Sequence, residues 1–121
     1  MFATHIYVQM YENRIRANNI DTGLSVEQRA EQPFSHPRSL MGDFDAANAT
    51  LSKAVASVRG SGLFKSVRLL IHPMEKCEGG LTQVEHTALR ELGAIVGAAK
   101  VVVWQGHALD DDTVRQKLQA P

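Results

Sequence analysis

The hydrophobic period of this chain first changes near residue 43, and that change narrows the fold more than any other feature. Upstream, apolar and polar residues tend to alternate. Thr4 to Tyr11 sets Ile6 and Val8 beside Tyr7 and Gln9, a pattern that reads as a strand. Glu12-Asn13 supplies a tight turn, and Arg14-Ile15-Arg16-Ala17 then alternates outward charge with inward bulk, with Ile20 extending the same strand. Asp21-Thr22-Gly23 predicts a second turn, and Leu24 to Ala30 a third, more polar strand. Three strands joined by short turns make an antiparallel meander. Glu31 to Gly42, with Pro33, Pro37 and Gly42, has no sustained period and reads as the longest loop.

In the segment that follows, the period lengthens to that of a helix. Ala47, Leu51, Ala54, Val55 and Val58 mark one face, leaving Lys53 and Arg59 for solvent. Asp43 and Asp45 stand where a carboxylate accepts hydrogen bonds from the unpaired amides of a first turn, and Gly60-Ser61-Gly62 ends the segment. Val67 to Ile71 reads as a buried strand, followed by His72-Pro73 and a polar turn through Gly79-Gly80. Thr82-Gln83-Val84-Glu85 has capping-box spacing, with Leu81 placed to staple the entry of the chain. Val84, Ala88, Leu92, Ile95 and Val96 are expected to form that helix's buried face. Gly93 weakens helicity, which implies packing that needs a small residue, and Gly97 is the expected terminator. Lys100 to Trp104 is a short apolar strand of the kind found in helix-covered sheets.

The order β-β-β-α-β-α-β predicts an α/β fold with a mixed five-stranded sheet, each helix crossing over to deliver a parallel neighbour. Beyond it, Asp110-Asp111-Asp112 precedes Val114, Arg115, Lys117 and Leu118, a charge order that suits a helix macrodipole. Two readings of that segment stay open, a short docked helix or a tail frayed toward 119–121. At 121 residues and 44% hydrophobic content the chain suits a single compact domain.

Charge and cysteine content exclude several functions. Thirteen basic and thirteen acidic residues cancel, so no strong positive field argues for nucleic acid. Cys77 is the only cysteine, which excludes an internal disulfide and fits a reducing, cytoplasmic setting. Met1 to Met10 lacks the basic start and long apolar run of a signal peptide, and no apolar run approaches a membrane span.

Candidate chemistry is sparse. His5, His36, His72, His86 and His107 form no ligand-spaced pair, and His72 with Cys77 gives two ligands where a structural zinc site needs four. Surface or loop positions are the expected roles of these histidines and of Cys77. Asp110, Asp111 and Asp112 are better explained by helix capping or a solvated loop than by a two-metal site. Arg14, Arg16, Arg38 and Arg68, beside Tyr7, Tyr11 and Phe34, are too scattered to define a nucleic-acid surface. No cofactor or metal site is expected.

The segment Gly42-Asp43-Phe44-Asp45, with Ala47 and a helix through Leu51, resembles the entry to the first domain helix of bacterial actin-like rod-shape proteins. Val67-Arg68-Leu69-Leu70-Ile71-His72-Pro73 is similar to their next central strand, and Leu81 through Glu91 to the capped helix after it. Gly93-Ala94 and Gly97 through Val103 resemble the exit into the following strand. The resemblance implies a ribonuclease-H-like/actin-like subdomain, in a family whose members bind ATP between two large domains. Where the family carries an acidic residue and a glycine turn around the phosphates and metal, this chain has Gln9 and Tyr11. Gln lacks the carboxylate charge, and Tyr obstructs a close backbone approach to phosphate. Autonomous catalysis is therefore not expected. A protein-interaction or self-assembly role is, with Met10, Tyr11, Phe34, Leu40 and Trp104 as its candidate residues. The partner would be a second copy or another protein, and the resemblance points to cytoskeletal or cell-shape machinery. A residual nucleotide-binding module is the alternative.

Overall fold

The computed structural model describes residues 3–34, 43–60, 66–75 and 80–120. Leu40, His36, Arg38, Cys77, Ser61-Gly62 and most of the expected 31–42 loop lie outside the described residues. The elements run β1 (Ala3–Tyr11), β2 (Arg14–Asn19), β3 (Ser25–Arg29), α1 (Phe44–Val58), β4 (Ser66–Pro73), α2 (Gln83–Ile95), β5 (Lys100–Val103) and α3 (Asp111–Gln119). They form a five-stranded mixed sheet in the order β3-β2-β1-β4-β5. The meander pairs antiparallel, while β1-β4 and β4-β5 pair parallel.

The first hairpin turns on Glu12-Asn13, where Asn13 adopts φ 55 and Tyr11 faces Arg14. Asn tolerates this left-handed conformation better than most residues. Its side-chain oxygen accepts from the Phe34 amide at 2.9 Å, and its carbonyl accepts from Ala30 at 3.0 Å. The turn is thus held from behind by the chain leaving β3.

Asp43 caps α1 by accepting from the Ala46 amide at 3.0 Å, and Ala47, Leu51, Ala54, Val55 and Val58 are all buried as the spacing predicts. At the start of α2, Thr82 and Glu85 exchange both bonds of the capping box. Leu81 packs against the main core. Gly93 lets α2 lie close to the sheet: a Cβ there would come within 2.7 Å of Val101 and 3.2 Å of Ile71. Gly97 ends the segment at φ 105, a conformation that favours glycine.

α1 and α2 bury one face of the sheet around Ile6, Val8, Met10, Ile15, Leu69 and Ile71. α3 packs on the opposite face, where fully buried Val114 and Leu118 meet Tyr7, Ile20 and Leu70. Of the two C-terminal readings, docking is the one adopted through Gln119. Basic groups from the sheet hold the helix end: Arg68 donates to the Leu118 carbonyl at 2.8 Å, and Lys100 donates to that of Ala120. Cations there also suit the negative end of the helix dipole.

Two expectations need correction. Val84 and Ile95 are not on the buried face of α2; they are 78% and 59% exposed, and Leu89 and Gly93 join the expected Leu92 there. At about 3.6 residues per turn, Val84 and Ile95 project away from the side that carries Leu89 and Gly93. The second concerns His72-Pro73, which lies inside β4 because the strand continues to Pro73 and the ladder passes on through Met74 N–H to the Met10 carbonyl at 2.8 Å.

Candidate functional site

Neither His5 nor His72 has the surface or loop placement expected of it; both are buried in strands. The parallel register of β1 and β4 brings Tyr7 and His72 together on the face covered by α3. Their rings stack at 5.9 Å, and the Tyr7 hydroxyl lies 2.7 Å from His72 Nδ1. His72 Nε2 is 2.9 Å from the Gly106 carbonyl, which can only accept. The proton therefore sits on Nε2, and Nδ1 accepts from Tyr7. Tyr7 in turn accepts from the Leu109 amide at 3.2 Å. Burial pushes the Tyr7 hydroxyl above its ordinary pKa, opposed by the Leu109 amide, and holds the His72 imidazole below its own, opposed by the Gly106 carbonyl. The two residues are 5% and 1% exposed. Every strong donor and acceptor in the pair is occupied, so it clasps the β5–α3 loop to the sheet and presents no free acid or base.

His5 is held by Asp21, whose carboxylate accepts from the His5 amide at 2.8 Å and lies 3.0 Å from Nδ1. Burial raises the Asp21 pKa, but bonds from His5 and Arg115 outweigh it and leave the carboxyl below its ordinary value. Among the described residues no three His, Cys, Asp or Glu side chains converge as a metal site. Asp110 caps α3 by accepting from the Thr113 amide at 2.8 Å, which accounts for its place in the acidic run. A cavity of about 320 Å³ opens beside the start of α1, lined by Arg29, Glu31, Asp43, Asp45, Thr50 and Lys53. Its charges are largely committed: Lys53 pairs with Glu31, and Asp43 caps the helix.

The arginines do not assemble into one patch. Arg14 lies 4.0 Å over the Tyr11 ring and pairs with Glu27, whereas Arg68 is spent on the end of α3. Of the candidate interaction residues, Met10 and Phe34 are fully buried in the core and present no surface. Tyr11 is half-buried beneath Arg14. Trp104 is half-buried too, donating to the His107 carbonyl at 2.9 Å with Lys117 4.2 Å over its ring. A Cβ on Gly106 would come within 3.1 Å of that ring.

The least satisfied surface is the flank made by α2 and β5, which the sequence reading did not single out. Val84 and Ile95 are exposed on α2. Beside them a shallow groove of about 490 Å³ runs between helix and strand, lined by Thr87, Arg90, Glu91, Ala94, Ala98 and Lys100, among others. β5 is an edge strand, and its three consecutive valines are half-buried. The helix signal was present in the sequence: Val84, Leu89 and Val96 span too wide an arc for one apolar face.

Among the described residues no helix is long and apolar enough to cross a membrane. No protein-family model matches the chain, and comparison with curated proteins gives no match.

Proposed function

We propose that this chain is a non-catalytic protein-interaction or self-assembly module of ribonuclease-H-like/actin-like topology that works in the cytoplasm. The order β3-β2-β1-β4-β5, antiparallel on one side of β1 and parallel on the other, supports the topological part of this reading. The observation that carries the functional part is the α2–β5 flank, where Val84 and Ile95 stand exposed beside an open strand edge of three consecutive valines. Such surface is stabilised by a partner and is a liability without one. Phosphate binding at the first hairpin has less support, because Asn13 is committed to Ala30 and Phe34 and the side-chain amide of Gln9 lies 3.8 Å from the Met74 sulfur. The cell-shape or cytoskeletal class of partner follows from the resemblance of the 42–103 segments alone.

The test is mass against concentration, with and without ATP and magnesium, for the native chain and for a Val84→Asp/Ile95→Asp variant. Nucleotide-independent association, weakened in a variant whose thermal midpoint is unchanged, is the expected result. A monomer that shows magnesium-dependent ATP shifts confined to Gln9–Asn13 would replace this reading with nucleotide binding.

A further inference from the structure

The two edges of the sheet differ in kind. β3, at one edge, reads Ser-Val-Glu-Gln-Arg, so charged side chains guard it. β5, at the other, reads Lys-Val-Val-Val: its one charge, Lys100, stands at the start of the strand, and the three valines after it carry neither charge nor proline to discourage pairing. The Trp104 amide donates to the Ile71 carbonyl at 3.0 Å. Alternating back along the strand, Val102 turns its backbone toward β4, while Val101 and Val103 turn theirs outward. Among the described residues nothing pairs with those two valines on the open side.

Two open residues spaced by two suit a strand that repeats the same pattern in reverse. We propose that β5 pairs antiparallel with β5 of a second copy about a two-fold axis at Val102, joining the two sheets edge to edge. Val101 of each copy then exchanges both backbone bonds with Val103 of the other, and all four outward groups on each chain are satisfied. Val102 faces its own counterpart as a non-hydrogen-bonded pair, and Lys100 faces Trp104.

The groove beside β5 suits the same occupant. Ala94, Ala98 and Ala99 keep it shallow, leaving room for a neighbouring α2. Its charges on α2 are mixed: Arg90 stands beside Glu91, so a copy related by a two-fold axis offers a carboxylate to Arg90 and an arginine to Glu91. A chain with zero formal net charge adds little long-range repulsion. This surface commits the interaction reading above to one partner, and it rests on that reading.

The test places single cysteines along β5 in a Cys77→Ser background. At a non-hydrogen-bonded antiparallel pair the Cα atoms are about 4.5 Å apart, within reach of a disulfide. Val102→Cys is expected to form a covalent dimer under mild oxidation, far faster than Val101→Cys or Val103→Cys. Val101→Pro removes an outward N–H and no bond to β4, so it should weaken the dimer at least about tenfold while the circular dichroism of the monomer is kept. A dimer that forms without preferential Val102→Cys crosslinking overturns the edge pairing and leaves the interaction reading standing. A native chain that stays monomeric at all concentrations overturns the self-pairing. If the Val84→Asp/Ile95→Asp change also alters no association with any protein, the wider reading falls with it.

Discussion

At the residue scale, the Tyr7–His72 pair carries the clearest expectations. Tyr7→Phe removes the proton donor to Nδ1 and the acceptor for the Leu109 amide while keeping the ring. The two groups left buried without partners should cost about 1–3 kcal/mol, read as a lower urea midpoint with an unchanged slope. A change below about 0.3 kcal/mol would mean that water replaces the hydroxyl at no cost. The same pair sets a pH dependence. His72 has a folded pKa below its unfolded value, so below the unfolded value the unfolded chain binds the extra proton first. Its contribution is therefore fully present above about pH 6.5 and is lost as pH falls from there through the lowered folded pKa. Urea titrations at pH 7.5 and 5.5 should show lower stability in acid. Asp21, with its own depressed pKa, acts in the same direction at lower pH.

At the scale of elements, Gly93 sets the distance of α2 from the sheet. Alanine is the better helix former by about 1 kcal/mol, so local propensity predicts that Gly93→Ala stabilises. The tertiary contact predicts the opposite, because the added Cβ meets both methyls of Val101 at 2.7 and 2.9 Å. Valine is stiff at χ1 and cannot swing clear, and overpacking of this kind costs about 1–3 kcal/mol. A lower melting temperature is expected, partly restored when Val101→Ala is combined with it; a higher one would show that α2 shifts outward freely. The capping box and both helix-ending glycines were legible in the sequence because they act within a single turn. The orientation of α2 was not, since its apolar residues span more than one face and only the sheet selects between them.

For the whole molecule, α3 decides whether the sheet is covered on its second face. It is held there by Val114 and Leu118, by Arg68 at its end, and by Arg115, which donates to the Ile20 carbonyl at 3.2 Å. Leu118→Ala should cost about 2–5 kcal/mol. Hydrogen exchange should show α3 losing protection first while β1 and β4 keep theirs, because those strands are also buried by α1 and α2. Simultaneous loss across α3 and the sheet would instead make the molecule one cooperative unit.

Short-range physics made the element order readable. Alternation, helical spacing, a capping box and turn residues each act over a few positions, and they specify the meander, both crossover helices and the capped start of α3. Only the tertiary structure could bring Tyr7 to His72 across 65 positions of sequence or enclose Met10 and Phe34. It also left Val84 and Ile95 outside and β5 at an edge. A periodic pattern states that a face is apolar, but not which neighbour covers it. That is settled when the parallel strands choose their register and the helices their side of the sheet.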